Sequence, residues 1–420
     1  MTHKNSDSRY LLWAGTGNFR YGNAETALCC RVYQGSGGKE DLVIESEDIS
    51  GKLPPFIVAN DVQLQIPGVR EPLDVMVVPR SWSSEGHSSL TLLPLQTPCW
   101  FSKSRPLRYG RFVIVNFAFY WMGSPANLNF VLNACGWTAQ FIAVTEKSLE
   151  IPRLKNDDEF RVTHHVEFSR DDGSLFTEQE AHDFLWKLSL FLSFCRGQWV
   201  GYSLMVGLDE NGEMALEQWG LGRISPWHEP SGWLDEHRGN CISQLYEKFS
   251  HKLQQKAWMD AISHVVYWFA RAETNNVGPD GACILLQAAL ERLAWHVLVR
   301  ERNAISEKGF RNLTAADQLR LMLNILSIPT TIPDGLTKLQ ALGRSRASDG
   351  PEIFTYIRNR LTHPPKVSAL KEHLPYYEAY CLAQWYVELA ILSACGYNGE
   401  YGNRTMMRRW KGQVEKVPWA

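Results

Sequence analysis

Residues 170–196, RDDGSLFTEQEAHDFLWKLSLFLSFCR, mark a change in the pattern of the sequence. Before them, short runs of β-branched and aromatic residues are separated by Gly, Pro, Asn and Ser, which is typical of strands and turns. Within them, Thr177 and Glu180 form a capping box, which predicts a helix from about Glu178 to Arg196. We therefore predict an α+β protein whose β-rich N-terminal domain, residues 1–170, is an antiparallel sandwich or barrel.

The rest of the chain is predicted to be mostly helical. Residues 171–239 are expected to form a connector of one helix and a small β-hairpin that turns at Asn211-Gly212. Residues 240–402 show repeated helical periods, and residues 403–420 form a basic and aromatic tail. The helices predicted in this part cover residues 242–272, 281–302, 314–326, 333–342, 351–362 and 374–394.

The composition is that of a folded protein. Hydrophobic residues make up 45% and charged residues 21% of the 420 positions, which argues against a disordered chain. No stretch predicts a transmembrane helix, and the polar N-terminus lacks the apolar segment of a secretory signal. Nine scattered cysteines without a C-x-x-C pair indicate a reduced, cytoplasmic protein with no structural zinc site.

Charge is distributed unevenly along the chain. Residues 1–280 carry 25 Lys and Arg against 33 Asp and Glu, whereas residues 281–420 carry 18 against 12. A basic C-terminal part suits contact with a polyanion such as nucleic acid, although such an asymmetry also arises by chance. An acidic N-terminal surface that docks near Arg358 and Arg360 would compete with RNA for these two positively charged side chains.

Two motifs in the β-rich part are weak. The glycines of Gly15-Thr16-Gly17 lack the spacing of a dinucleotide-binding loop, so no nucleotide cofactor is expected. His164 and His165 are adjacent in a predicted strand, where neighbouring side chains point to opposite faces. We therefore interpret this pair as part of a surface strand and not as ligands of one metal ion.

One segment, Ile357-Arg358-Asn359-Arg360-Leu361-Thr362-His363-Pro364, carries the residue types that cleave RNA without a metal. Histidine titrates near neutral pH and suits proton transfer at the ribose 2′-hydroxyl. Arginine stays charged and forks onto phosphate oxygens, which suits the charge that develops in the transition state. Five residues separate Arg358 from His363, about 140° around an ideal helix, so spacing alone favours a helix-end histidine beside two solvated arginines.

The pattern Arg358-Asn359-x-x-x-His363 resembles the motif of the HEPN ribonuclease superfamily, in which an arginine and a polar residue precede a histidine. Leu285–Leu293 is similar to the helix that packs behind that motif. Leu389–Tyr401 resembles the end of the ApeA-like branch, a group of bacterial proteins linked to phage defence that have long β-containing N-terminal regions. The resemblance covers about residues 245–402 and implies an all-α, HEPN-like bundle there.

The resemblance also implies roles for single residues. Arg358 and His363 would be catalytic, and Asn359 would orient them. Glu291, on the upstream helix, is an accessory candidate, and Arg360 is another that binds phosphate or faces water. The implied enzyme is a metal-independent endoribonuclease that needs no cofactor, acts on RNA and joins the motifs of two protomers in one cleft.

Two further expectations concern partners. The last long helix, residues 374–394, carries more apolar and aromatic residues than one bundle face needs, which we interpret as surface for a homodimer. The resemblance implies a cytoplasmic anti-phage or toxin-like effector whose β-rich domain senses a phage-derived or other trigger, or restrains the nuclease. Two alternatives remain open: a non-catalytic helical module that dimerises or binds nucleic acid, and a ligand-binding β-domain on a helical scaffold.

Overall fold

The structure is a computed structural model that describes residues 10–34, 42–48, 62–67, 72–82, 88–95, 99–124, 127–144, 162–220, 222–227, 232–272, 277–363, 374–406 and 409–420. Two units share the chain in alternating segments. The first comprises Met1–Phe117, Thr138–Leu185 and Gly201–His228, and the second comprises Ala118–Trp137, Trp186–Val200 and Glu229–Ala420. The predicted α+β class is confirmed, with a β-rich N-terminal region and a helical C-terminal part.

The first unit contains a closed barrel of antiparallel strands, which is one of the two architectures that the sequence predicts. Alternate residues point inward, so that Phe19, Leu28, Ile44 and Leu92 are buried together. A Cβ on Gly17 would stand 2.9 Å from Leu64 Cδ1, so glycine allows the close packing there. The strands are β1 (Tyr10–Tyr21), β2 (Ala24–Gln34), β3 (Leu42–Asp48), β4 (Val62–Gln65), β5 (Leu73–Trp82) and β6 (Ser88–Pro94), paired in the order β1-β2-β3-β6-β5-β4.

A second sheet follows the barrel along the chain. The predicted hairpin at Asn211-Gly212 is confirmed, and Gly212 takes the left-handed backbone that the turn needs, with φ +77°. Trp219 packs among the buried residues of the barrel. The strands are β7 (Cys99–Ser102), β8 (Tyr109–Val115), β9 (Phe130–Ala134), β10 (Trp137–Ala143), β11 (Val162–Arg170), β12 (Tyr202–Leu208) and β13 (Met214–Trp219), and the first unit holds the order β7-β13-β12-β8-β11-β10.

Strand β11 places His164 and His165 on opposite faces, so they cannot ligate one metal ion. His165 is exposed, whereas His164 is fully buried with its ring centroid 5.8 Å from that of Phe117. The interpretation of this segment as a surface strand is confirmed for one face of β11, which exposes His165 and Glu167, whereas His164 lies on the buried face.

The buried His164 predicts a pH-dependent stability. Burial lowers the pKa of His164 to about 3, so the folded protein holds this imidazole neutral. In the unfolded chain this imidazole takes up a proton at about pH 6.5. Above that pH, His164 should not reduce the free energy of unfolding. Below it, the free energy of unfolding should fall by about 1.4 kcal/mol per pH unit until the pH reaches the folded pKa.

Urea unfolding at pH 7 and pH 5.5 checks this expectation. His164→Leu should flatten the pH dependence of the transition midpoint, and the exposed His165→Gln should leave it as in the wild type. An unchanged slope in His164→Leu would show that His164 already titrates normally in the folded protein.

The second unit is mainly helical. Helix α1 (Glu178–Arg196) begins in the first unit and ends in the second. The others are α2 (Asn240–Leu253), α3 (Lys256–Ala272), α4 (Gly278–Trp295), α5 (Glu307–Asn312), α6 (Ala315–Ile325), α7 (Thr337–Arg346), α8 (Gly350–Thr362) and α9 (Tyr376–Ala394), and the chain closes with the short strands β14 (Glu400–Tyr401) and β15 (Glu415–Lys416), which pair with each other.

Helix starts follow the local signals in the sequence. The Glu180 carboxylate accepts a hydrogen bond from Thr177 N at 2.8 Å, and the Thr177 hydroxyl accepts one from Glu180 N at 3.2 Å. The Thr314 hydroxyl caps α6 by accepting from Asp317 N at 3.2 Å. Both predicted helix starts are confirmed.

The single helix predicted over residues 242–272 is wrong, because the chain breaks at Gln254 and Gln255 into α2 and α3. Residues of α2 such as Phe249 and Leu253 bury one face, and residues of α3 such as Ile262 and Val265 bury another. On one continuous helix these faces would lie about half a turn apart. The break lets both faces reach the core.

Two shorter helices also differ from the prediction. Helix α7 covers Thr337–Arg346 and not residues 333–342, and α5 was not predicted. Six residues are too few for a helical period to appear in the sequence. Pro364 and Pro365, which the sequence predicts to end α8, lie outside the described residues.

Helix α9 is the central helix of the second unit. It is buried from Cys381 to Leu392 and contacts α3, α4, α7 and α8. Leu382, Trp385, Leu389 and Leu392 are therefore covered by neighbouring helices of the same chain, and their interpretation as dimer surface is wrong. Tyr377 at the start of the helix stays 55% exposed.

Helix α4 and the π-helical stretch His296–Glu301 form one continuous run. Among the described helices, this run is the one long and apolar enough to cross a membrane. Within it, 67% of the most apolar window is buried inside the protein, as is usual for the core helix of a soluble protein. Its exposed side includes Ile284 and Glu291.

Candidate active site

Helix α8 carries the predicted site and is held firmly at its start. The Asp349 carboxylate caps the helix by accepting from Glu352 N at 3.0 Å, and Pro351 lies in the first turn. Arg320 Nε donates to the same carboxylate at 2.6 Å, which ties α6 to α8. Burial of Ile353 and Ile357 fixes the rotation of α8 about its axis.

Arg358 lies on the partly exposed side of α8, with 22% of its side chain accessible. Its Nη2 donates to Glu291 Oε1 at 2.9 Å, and its Nη1 donates to Asn359 Oδ1 at 3.1 Å. A guanidinium has five N–H groups, so donors remain for a further acceptor. Arg358, Asn359 and Glu291 are thus brought together, across 67 positions of sequence between Arg358 and Glu291.

Glu291 is held from both sides. Its Oε1 also accepts a hydrogen bond from Gln287 Nε2 at 2.7 Å, one turn earlier on α4. Gln287 is 1% exposed, so the carboxylate links the core of the second unit to the partly exposed Arg358. The four residues form a chain from Gln287 through Glu291 and Arg358 to Asn359.

His363 ends α8. Its backbone N–H donates to Asn359 O at 2.8 Å, while its own backbone is extended, with φ −120° and ψ 98°. The side chain is exposed, and among the described residues it makes no hydrogen bond to Arg358 or Glu291. The structure therefore places His363 at the end of α8, five residues after Arg358, with its imidazole exposed to solvent.

Arg360 lies half-buried near the start of α9. Burial raises the pKa of Tyr376, Asp280 raises it further, and the charge of Arg360 opposes the rise. Cys283 Sγ approaches Tyr376 O at 3.8 Å, which places the start of α9 against the first turns of α4. Arg360 and Tyr376 thus border the α8 helix end.

Gln287 is a residue of the site for which the sequence predicts no role. The signal was present, because Gln287 and Glu291 stand four residues apart on a predicted helix, the spacing at which side chains meet. Only the packing of α4 against α8 adds Arg358 to that pair.

Two family models match the chain. Residues 255–416 match the YopA C-terminal domain, and residues 102–230 match the YopA central domain. Glu291, Arg358, Asn359, Arg360 and His363 all fall inside the C-terminal match.

A curated relative is similar over much of the same region. The SPbeta prophage-derived uncharacterized protein YopA of Bacillus subtilis (strain 168) is 29% identical over 268 residues, which are 64% of this chain. The match spans 60% of the length of that relative. No solved structure matches the chain.

Proposed function

We propose that the helical part of the second unit is a metal-independent endoribonuclease of HEPN type, with Arg358 and His363 as catalytic residues. Asn359 and Glu291 orient Arg358, and Arg360 binds phosphate next to the scissile bond. The observation that carries the proposal is the environment of Arg358. Among the described residues, the anchored guanidinium has donors that no acceptor uses, and the same helix end presents an exposed histidine.

The reaction follows from these groups. His363 accepts the proton of a ribose 2′-hydroxyl, and the 2′-oxygen attacks the adjacent phosphorus. The bond from phosphorus to the 5′-oxygen breaks, and that oxygen takes a proton from water or from the imidazolium. The remaining N–H groups of Arg358 stabilise the negative charge on the phosphoryl oxygens as it develops. The products are a 2′,3′-cyclic phosphate and a free 5′-hydroxyl.

Incubation of the purified full chain with total RNA in EDTA tests this function. Cleavage should persist in the chelator and yield 2′,3′-cyclic phosphate ends or their hydrolysed form. A substrate with a 2′-deoxy sugar at the cut site should resist, because it lacks the attacking oxygen. Activity that EDTA abolishes and Mg²⁺ restores would contradict the proposed chemistry.

A homodimer through the helical part belongs to the same proposal. With α9 buried, its support is the exposed side of α4, where Ile284 is 44% exposed, and the exposed Tyr377. Ile284 and Glu291 lie seven residues apart, on one side of α4. A two-fold contact there would bring a second Arg358 close to the first.

The alternative is a non-catalytic module that dimerises or binds nucleic acid. The observation in its favour is the ion pair between Arg358 and Glu291, which a purely structural arginine would also make. This alternative predicts that RNA is bound and remains intact, with binding that weakens as salt rises.

We further propose a cytoplasmic anti-phage or toxin-like role, in which the β-rich region senses a trigger or restrains the nuclease. Its support is the charge asymmetry of the chain and the resemblance to the ApeA-like branch. The first 95 residues, which contain the barrel, all belong to the first unit. The cleavage assay compares the full chain with a chain that lacks these residues. Faster cleavage by the shorter chain indicates that the β-rich region restrains the nuclease, and slower cleavage indicates that it recruits the substrate.

A further inference from the structure

Gln287 is a buried polar residue that the proposed reaction does not use directly. Its Nε2 lies 2.7 Å from Glu291 Oε1, the same oxygen that accepts Arg358 Nη2 at 2.9 Å. We propose that Gln287 is a positioning residue, which orients Arg358 by holding the Glu291 carboxylate. The catalytic consequence rests on the proposed ribonuclease function, whereas the positioning itself does not.

The orientation of the Gln287 amide is unfavourable for the core. Its Oε1 is buried, and none of the described residues donates a hydrogen bond to it. Turning the amide over would place this oxygen against the Glu291 carboxylate, where two acceptors would face each other. The amide therefore keeps its N–H towards Glu291 and leaves its own oxygen unpaired, which costs stability. An apolar side chain at this position would fill the core without an unpaired oxygen. What glutamine provides and an apolar residue does not is the hydrogen bond to Glu291.

Glu291 needs this second contact to stay in one place. Its side chain is 36% exposed and has several rotatable bonds, so a lone ion pair with Arg358 would leave both side chains mobile. Because Gln287 Nε2, on the same helix, donates a hydrogen bond to Glu291 Oε1, this carboxylate oxygen is fixed relative to α4. Arg358 then uses one N–H on Glu291 and one on Asn359, and its other donors keep a constant direction.

Gln287→Met in the full chain tests the proposal, because methionine has a similar length and no hydrogen-bonding amide. We expect the melting temperature to stay the same or rise, since the unpaired oxygen is gone. In protein labelled with ¹⁵N-arginine, we expect faster rotation of the Arg358 guanidinium in NMR spectra. On an RNA oligonucleotide, kcat should fall about tenfold while KM changes less than about twofold.

Gln318→Met is the matched control. The Gln318 amide donates to Phe310 O at 3.0 Å and therefore stabilises the end of α5. This control should lower the melting temperature and leave the Arg358 signals unchanged.

Two results overturn the inference: Arg358 signals in Gln287→Met that match the wild type, or a loss of stability with kcat unchanged. If the wild-type protein cleaves no RNA, the ribonuclease proposal fails, and the NMR comparison still decides whether Gln287 positions Arg358.

Discussion

His363→Ala and Arg358→Ala in the full chain are each expected to lower the rate of RNA cleavage by ~10²-fold or more. The first removes the group that accepts the 2′-hydroxyl proton, and the second removes the cation that stabilises the transition state. Both residues lie at the partly exposed end of α8, so the melting temperature should change little. Initial rates on a defined oligonucleotide measure the effect.

Arg358→Lys separates charge from geometry. Lysine keeps the positive charge but cannot reach Glu291, Asn359 and a phosphate with one planar group. Its rate should lie between those of the wild type and Arg358→Ala. His264→Ala and Arg311→Ala, at exposed positions on other helices, are the matched controls and should cleave at the wild-type rate. Wild-type rates in His363→Ala or Arg358→Ala would show that the site is elsewhere.

Mixing the two inactive variants addresses the dimer. If two protomers share one cleft, a heterodimer of His363→Ala and Arg358→Ala retains one histidine and one arginine, and the mixture regains activity. If each protomer cleaves alone, the mixture stays as inactive as its components. The composite site is abandoned in the second case, while the assignment of the two catalytic residues stands.

Glu388→Ala is expected to destabilise the second unit by about 3–5 kcal/mol. Glu388 is 0% exposed on the central helix α9, and Arg404 pairs with it through Nη2 at 2.6 Å and Nε at 3.1 Å. Gln384 Oε1 accepts from the same guanidinium, and Trp233 N donates to Glu388 at 3.1 Å. Removing the carboxylate takes away the counter-charge of the buried Arg404 guanidinium and the acceptor of the buried Trp233 N–H.

Urea unfolding of the full chain measures this loss. The double variant Glu388→Met with Arg404→Met should recover most of the stability, because no charge is left buried. As a control for an exposed ion pair, Glu307→Ala next to Arg311 should change stability by no more than about 0.5 kcal/mol. A small effect of Glu388→Ala would mean that solvent reaches Arg404 and solvates its charge.

Features that depend on neighbouring residues were predictable from the sequence. Thr177 and Thr314 cap their helices through hydrogen bonds that span three residues, and Asn211-Gly212 turns a hairpin whose strands are adjacent in the chain. The class also followed, and so did the choice between an antiparallel sandwich and a barrel, since alternation along a strand is a local property. The pairing of β1 with β4, which closes the barrel, joins residues that are distant in the chain. The resemblance of residues 358–363 to the HEPN motif is likewise local, and their role in cleavage stays a prediction.

Features that depend on distant partners were decided by tertiary structure. The apolar surface of α9 looks the same in sequence whether a second protomer or the chain's own helices cover it, and here the chain's own helices do. The break between α2 and α3 exists because two apolar faces must reach one core.

The site divides in the same way. The sequence by itself determined that a helix ends in an arginine, an asparagine and a histidine, because caps, prolines and helical periods are written in adjacent residues. It placed Gln287 and Glu291 four residues apart, the spacing at which side chains on one helix meet, and indicated no role for Gln287. The packing of α4 on α8 decided that Arg358 completes that chain, since a hydrogen bond between residues 67 positions apart depends on how whole helices dock.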